Sequence, residues 1–192
     1  DNCSLSTVVP DITNFDCSML GANTVILTAN DAEGNASNAA AIVTVRDTIA
    51  PVALASDTTV YLDGSGQAVI DATYLEDGST DNCSIASSTI DITTFDCSMI
   101  GLNTVTLTVS DADGNTGSTT AVVTVLDTLP PVLVLTDTTL YLGTDGTFTM
   151  DSTYVDAGTA DNCDLDQLIP DQTVFTCADI GANTVSVTAI DI

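Results

Sequence analysis

Asn103-Thr104-Val105-Thr106-Leu107-Thr108-Val109-Ser110 decides the fold. Polar and apolar residues alternate, a period of two that sets Val105, Leu107 and Val109 on one face of a strand and the threonines on the other. β-Branched residues such as Val and Thr suit a pleated, half-buried surface. Downstream, Asp111-Ala112-Asp113-Gly114-Asn115 reads as a turn, and Ala121-Val122-Val123-Thr124-Val125-Leu126 as the next strand. Upstream, Val52 to Ser56, Thr59 to Leu62, Gln67 to Tyr74 and Ser87 to Thr94 supply the others. Six or seven short strands between Gly and Asp turns, in about 80 residues, predict an immunoglobulin-like sandwich. No segment reads as a helix.

The pattern repeats. Asp1-Asn2-Cys3-Ser4 returns as Asp81-Asn82-Cys83-Ser84 and as Asp161-Asn162-Cys163. Phe15-Asp16-Cys17 returns as Phe95-Asp96-Cys97 and, more loosely, as Phe175-Thr176-Cys177. Gly21-Ala22-Asn23-Thr24-Val25 matches Gly101-Leu102-Asn103-Thr104-Val105 and Gly181-Ala182-Asn183-Thr184-Val185. The offset between successive copies is constant, without insertion. The expected class is therefore all-β, as tandem immunoglobulin-like β-sandwich repeats of about 80 residues. Asp47-Thr48-Ile49-Ala50-Pro51, echoed by Asp127-Thr128-Leu129-Pro130-Pro131, is the natural boundary, because proline interrupts strand pairing and stiffens a connection. Residues 48–127 then form one whole repeat. Residues 1–47 are the C-terminal part of another, and 128–192 are a repeat lacking its last strand. The chain opens in mid-pattern and reads as an internal piece of something longer.

Composition narrows function. Arg46 is the only base against 27 acidic residues, for a net charge of −26, and there is no His. Such a chain repels polyanions, which argues against nucleic-acid partners, and anionic membrane surfaces are disfavoured likewise. No apolar run approaches the ~18 residues of a membrane helix, so membrane insertion by this segment is not expected. Catalysis lacks its usual bases and oxyanion donors, which leaves a carboxylate glycosidase as the least favoured reading and no enzyme as the expectation. A hydrophobic content of 44 %, in short Val, Ile and Leu runs, argues against disorder. The tyrosines at 61, 74, 141 and 154 fall on expected strands, where core packing explains them at least as well as sugar stacking.

Each repeat carries two cysteines at one fixed spacing: Cys3 and Cys17, Cys83 and Cys97, Cys163 and Cys177. An even count so arranged points to disulfides and an oxidising compartment. Zinc fails for want of ligands, and a catalytic thiol for want of a basic neighbour. Pairing within the repeat is favoured, and a loop of that size would contribute about 3 kcal/mol. A geometric rival exists: if 84–96 ran as one extended strand, its ends would lie ~45 Å apart. Cys97 would then meet Cys163 of the next repeat. In-repeat pairing requires the segment to double back.

The acidic turns suggest a structural Ca²⁺ site. In an immunoglobulin-like topology the loops Glu76-Asp77-Gly78-Ser79-Thr80-Asp81-Asn82 and Asp111-Ala112-Asp113-Gly114-Asn115 lie at the end where the chain enters, bringing Asp47. Hard oxygen ligands with a Gly permitting a sharp turn suit a cation that takes six to eight oxygens. The set recurs as Asp127, Asp156, Asp161, Asn162 and Asp191, and in the first repeat as Asp1, Asp31, Glu33 and Asn35. The bland alternative is that Asp, Asn and Gly are simply turn formers. Affinity is expected in the ~10⁻⁴–10⁻³ M class of extracellular modules.

The combination Asp-Thr-x-x-Pro, Asp-Asn-Cys, Gly-x-Asn-Thr-Val and Asp-x-x-Gly-Asn resembles HYR-like, immunoglobulin-like repeats of long Bacteroidota surface proteins, gliding-motility adhesins among them. The resemblance covers the whole chain. It implies secretion to the bacterial cell surface, multi-repeat filaments, and attachment or gliding as the role. It also implies O-glycosylation at Asp-Ser/Thr sites, which here match Thr48, Thr58, Thr128, Thr138 and Ser152. The expected function is a calcium-stiffened, disulfide-stapled stalk whose partners are neighbouring repeats of the same chain, with surfaces or glycans held through other domains. The alternative is that the repeats themselves bind glycans or surfaces.

Overall fold

The computed structural model describes residues 4–191 and is all-β, with only single 3-10 turns as helical structure among those residues. Its strands are β1 (Leu5–Pro10), β2 (Gly21–Asp31), β3 (Ala36–Val45), β4 (Thr58–Tyr61), β5 (Gln67–Val69), β6 (Ile85–Ile90) and β7 (Thr94–Asp96). There follow β8 (Gly101–Asp111), β9 (Thr116–Leu126), β10 (Thr147–Thr149), β11 (Leu165–Pro170), β12 (Val174–Thr176) and β13 (Val187–Asp191). The chain forms two compact units. One comprises residues 1–55, 76–89 and 107–119, the other 56–75, 90–106 and 120–192, so that residues 48–127 contribute to both.

In the first unit β1, β2 and β3 form an antiparallel sheet in that order, with a bulge between Leu5 and Thr7. The long β2–β3 hairpin turns at Asp31, whose carboxylate accepts the backbone N–H groups of Glu33 and Asn35. Val25 is buried, but Ile26, Leu27 and Ile42 stay exposed, Ile42 at 70 %.

The residues of the middle repeat build two sheets, one of order β4-β9-β8-β6 and one of β5 and β7. β4 runs parallel to β9, Thr58 opposite Val123 through Tyr61 opposite Leu126. Alternation works as the sequence indicates. Val105, Leu107, Val109, Val123 and Val125 are fully buried, and Thr104, Thr106 and Thr108 are not. Phe95 and Leu75 are fully buried as well. Each such side chain removed from water contributes roughly 1.5–3 kcal/mol, which a small repeat with few aromatics needs.

Three expected strands take another form. Val52 to Ser56 makes only isolated bridges, Val52 to Thr80 and Ala55 to Glu76. Gln67 to Tyr74 ends as a strand at Val69, because Asp71 accepts the Thr73 N–H and caps a 3-10 turn over 72–74. Ser87 to Thr94 divides at Asp91: β6 belongs to the four-stranded sheet and β7 pairs with β5. The tyrosines are not core residues. Tyr61, Tyr74, Tyr141 and Tyr154 are 60, 52, 81 and 44 % exposed: Tyr61 takes the outward phase of β4, Tyr74 and Tyr154 lie in capped 3-10 turns, and Tyr141 lies outside any strand.

The third repeat, wholly in the second unit, pairs β10 with β12 and β11 with β13. Its β13 has 5 residues where its counterparts β2 and β8 have 11. Residues 138–141, the counterpart of β4, form no strand.

Candidate metal centre

Local chemistry places the acidic groups. The Asp-Asn pairs before Cys83 and Cys163 sit in bends, where Asp81 Oδ2 accepts the N–H groups of Cys83 and Ser84 and Asp161 Oδ2 accepts that of Cys163. The hairpin end of β8 is closed by Asp111, whose two oxygens accept the Asn115 N–H and its side-chain amide. These bonds, the side-chain amide first, hold the Asp111 carboxyl below the ordinary carboxylate range. Asp47, at the end of the first repeat, reaches both loops. Its N–H donates to Asp113 Oδ2, its carbonyl accepts from the Asn115 side chain, and its Oδ2 accepts from Asn82.

One carboxylate oxygen from each of Asp47, Asp81 and Asp111 lies within 4.8 Å of the other two. Asp127, Asp161 and Asp191 form the same constellation one repeat further on, all within the second unit. Asn162 donates to Asp127 Oδ2 at 2.8 Å, as Asn82 does to Asp47 at 3.0 Å. Asp47 and Asp111 are buried, at 8 and 5 % exposure.

The residues fit a hard cation. Asp81 Oδ1 in the first cluster and Asn162 Oδ1 beside the second are buried without a hydrogen-bond partner. An orphaned buried oxygen is costly unless something positive satisfies it. Two oxygens on opposite sides of a Ca²⁺ bound at ~2.4 Å stand about 4.8 Å apart, so the observed spread admits one ion held by all three carboxylates. The donor set is all oxygen, which suits Ca²⁺ rather than zinc. Asp47, Asp81 and Asp111 would hold one ion, and Asp127, Asp161 and Asp191 another.

Other residues of the expected set lie elsewhere. Glu76 and Asp77 are outside the mutually close carboxylates: Glu76 accepts from Ser79 N–H and the Ser88 hydroxyl, and Asp77 N–H bonds the Leu54 carbonyl. Asp156 likewise serves its own turn, through Gly158 and Thr159. Asp31, Glu33 and Asn35 make the corresponding hairpin end of the first repeat, without a second acidic loop among the described residues. Asp1 lies outside the described residues, as does Cys3. Thr48, Thr128 and Thr138 are exposed, whereas Thr58 on β4 and Ser152 in a 3-10 turn are half-buried.

The disulfides correct the favoured pairing. Cys83 does not bond Cys97. The bridges are Cys17–Cys83 and Cys97–Cys163, each spanning 66 residues, so each joins one repeat to the next. The cause is the division at Asp91. Strands β6 and β7 enter different sheets and do not pair with each other, so the segment never doubles back. Cys177 is also expected in a disulfide, but among the described residues it is free and exposed. Sequence reasoning missed Gly66. A Cβ there would sit 2.7 Å from both Cys97 Sγ and the Asn162 carbonyl, so only glycine lets that bridge close.

No family model matches the chain, and no curated protein matches it. Among solved structures it is similar to the extracellular cadherin domains 1–4 of protocadherin gamma B7. That match has 13 % identity and a TM-score of 0.36, over 98 % of this chain and 67 % of that one.

Proposed function

We propose that the chain is a structural segment of a long extracellular adhesin or surface filament, a calcium-stiffened and disulfide-stapled stalk serving attachment or gliding motility. The observation that carries this reading is the duplicated cluster, Asp47-Asp81-Asp111 and Asp127-Asp161-Asp191, each taking one carboxylate from the linker and two from the following repeat. An ion held there ties successive repeats together. The bridges Cys17–Cys83 and Cys97–Cys163 add a covalent tie at the same step of the repeat. Disulfides of this kind support an oxidising, extracellular setting. The resemblance to HYR-like repeats supports a bacterial surface, and glycans on the exposed Thr48, Thr128 and Thr138 would fit it. With one base and no His in the chain, catalysis is not its work.

Thermal unfolding in about 1 mM Ca²⁺ and in excess chelator, with X-ray scattering on both, tests the stalk. The expected result is a higher Tm and a stiffer, more extended profile with the ion. Identical melting and scattering in the two buffers would reduce the acidic loops to turns.

A second reading has one observation in its favour. Tyr61 and Tyr74 are exposed and line a shallow depression with Asp63, Gln67 and Val69, the kind of surface on which sugars stack. A glycan array decides it: retention lost on Tyr61→Ala would make the repeats themselves the binding modules.

A further inference from the structure

The run Asp81-Asn82-Cys83 joins the first acidic cluster to a disulfide, and Asp161-Asn162-Cys163 does the same for the second. One amide touches both features. The Asn82 side-chain nitrogen donates to Asp47 Oδ2 at 3.0 Å and lies 3.4 Å from Cys83 Sγ. Asn162 makes the same pair of contacts in the second unit, at 2.8 Å to Asp127 Oδ2 and 3.6 Å to Cys163 Sγ. The other sulfur of each disulfide rests against the same residue. Cys17 Sγ is 3.6 Å from the Asn82 carbonyl oxygen, and Cys97 Sγ is 3.6 Å from that of Asn162. Cys83 N–H in turn donates to Asp81 Oδ2 at 2.9 Å, while Oδ1 of that carboxylate is buried without a partner.

Residues 81–84 form no strand. They lie between the isolated pairing of Thr80 with Val52 and the start of β6 at Ile85. The far end of the disulfide is better seated. Cys17 opens a 3-10 turn that Asp16 caps through the Ser18 N–H, and the Asn23 side chain donates to the Met19 carbonyl. Asp96 and Asn103 hold the turn of Cys97 in the same way. Each disulfide therefore fastens an irregular acidic run to a capped turn.

Taking the two clusters as the calcium sites of the stalk, the geometry points to a redox-sensitive cation site: closing each disulfide sets the cluster beside it for the ion, and the bound ion protects that disulfide from reduction. Three carboxylates within 4.8 Å repel one another, so without the disulfide and the ion the run relaxes away from its partners. The closed disulfide limits that relaxation, and less ordering remains to be done when the ion arrives. Such coupling is reciprocal: the factor by which the disulfide raises calcium affinity is the factor by which calcium disfavours reduction. Reduction itself is an exchange with a dithiol. One thiolate of the dithiol attacks a disulfide sulfur and expels the other cysteine, and its second thiol then closes a ring and releases the first. The dithiol becomes a cyclic disulfide, and two electrons and two protons end on the pair of cysteines.

The test equilibrates the whole chain in a dithiothreitol buffer of fixed reduced-to-oxidised ratio, with about 10 mM Ca²⁺ or with excess chelator. Differential alkylation and peptide mapping read the reduced fraction at each disulfide separately. Calcium is expected to shift both equilibria about tenfold toward the disulfide. Asp81→Asn should abolish the shift at Cys17–Cys83 and leave it at Cys97–Cys163; Asp161→Asn should do the reverse. Asn82→Ala keeps every carboxylate and should shrink the shift at Cys17–Cys83 alone. Equilibrium dialysis of the oxidised chain separates the two ways of failing. Ions bound without any calcium-dependent shift would overturn the coupling and leave the calcium sites standing, whereas no ion bound would overturn both. A shift lost at both disulfides on either single Asp→Asn change would mean that calcium protects through the fold as a whole, which also overturns the local link.

Discussion

At the scale of single residues, much of the fold rests on aspartates that replace backbone partners. Asp91 N–H bonds the Thr106 carbonyl, and its carboxylate accepts the Thr106 N–H at 2.8 Å, a donor the ladder would otherwise leave open. Asp11 does the same for Ile26 and Asp171 for Ser186. Asp91→Ala should therefore destabilise by about 1 kcal/mol in urea unfolding, less than the ~1.5–3 kcal/mol of a buried charged acceptor because it faces solvent. A loss indistinguishable from zero would assign the bond to water. The same chemistry fixes the acid limit. Hydrogen bonds lower the carboxyls of Asp16 (the Ser18 hydroxyl first), Asp63 (the Ser65 hydroxyl), Asp71 (the Thr73 hydroxyl) and Asp91 (the Thr106 N–H). With folded values depressed, the unfolded chain binds more protons in acid. Their contribution is complete above the ordinary value near 3.8 and is lost as pH falls through the folded ones. In chelator, Tm should hold to about pH 5 and fall below about pH 4. A Tm that rises on acidification would mean that relief of the −26 charge outweighs these bonds.

At the scale of elements, alternation in 103–110 gave both the strand and its inward face, because a period of two leaves no other arrangement for Val105, Leu107 and Val109. The constant repeat offset likewise made the convergence of Asp47, Asp81 and Asp111 legible, since loops at one end of a sandwich must meet. Cysteine pairing was not legible. It depends on β6 and β7 entering different sheets at Asp91, a change of partner that leaves no mark in a polar-apolar pattern. Nor were the contacts of Glu76 and Asp77, whose spacing resembles that of ligands: the Glu76 carboxylate accepts from Ser79 and Ser88, and the Asp77 N–H donates to the Leu54 carbonyl. Peptide mapping without reduction should recover Cys17–Cys83 and Cys97–Cys163, with Cys177 alkylated; a Cys83–Cys97 peptide would reverse the assignment. Close approach was equally hidden. A Cβ on Gly117, in β9, would lie 2.0 Å from the Pro51 carbonyl oxygen, a backbone atom that can yield only by moving the chain. Gly117→Ala should cost about 2–3 kcal/mol, whereas Gly64→Ala, with open space, should stay within about 0.5 kcal/mol. Equal unfolding midpoints for the two would show that the entry to the middle repeat shifts freely.

At the scale of the whole molecule, stability comes from a few ties repeated at one step. Each 66-residue bridge removes chain entropy worth about 4 kcal/mol, more than an in-repeat loop would. The acidic clusters act in the opposite sense when empty of charge partners, because three carboxylates share 4.8 Å in a chain with a single base. A divalent ion reverses that sign, so calcium and net charge are linked variables. The consequence is a stoichiometry. Equilibrium dialysis of the chain should saturate at two ions, one for each cluster among the described residues. Asp81→Asn removes a charge but keeps the shape and should leave one ion. Asp161→Asn should leave the other, and the double variant none. Asn at these positions can still accept from Cys83 or Cys163 N–H, so folding is preserved and circular dichroism should not change. Because the sites use different carboxylates, the two losses should add, as they do for separated positions. Two ions retained by Asp81→Asn would mean that the first cluster is a turn. One ion lost from both clusters by either single change would mean that the repeats bind as a cooperative array, with each junction setting the affinity of the next.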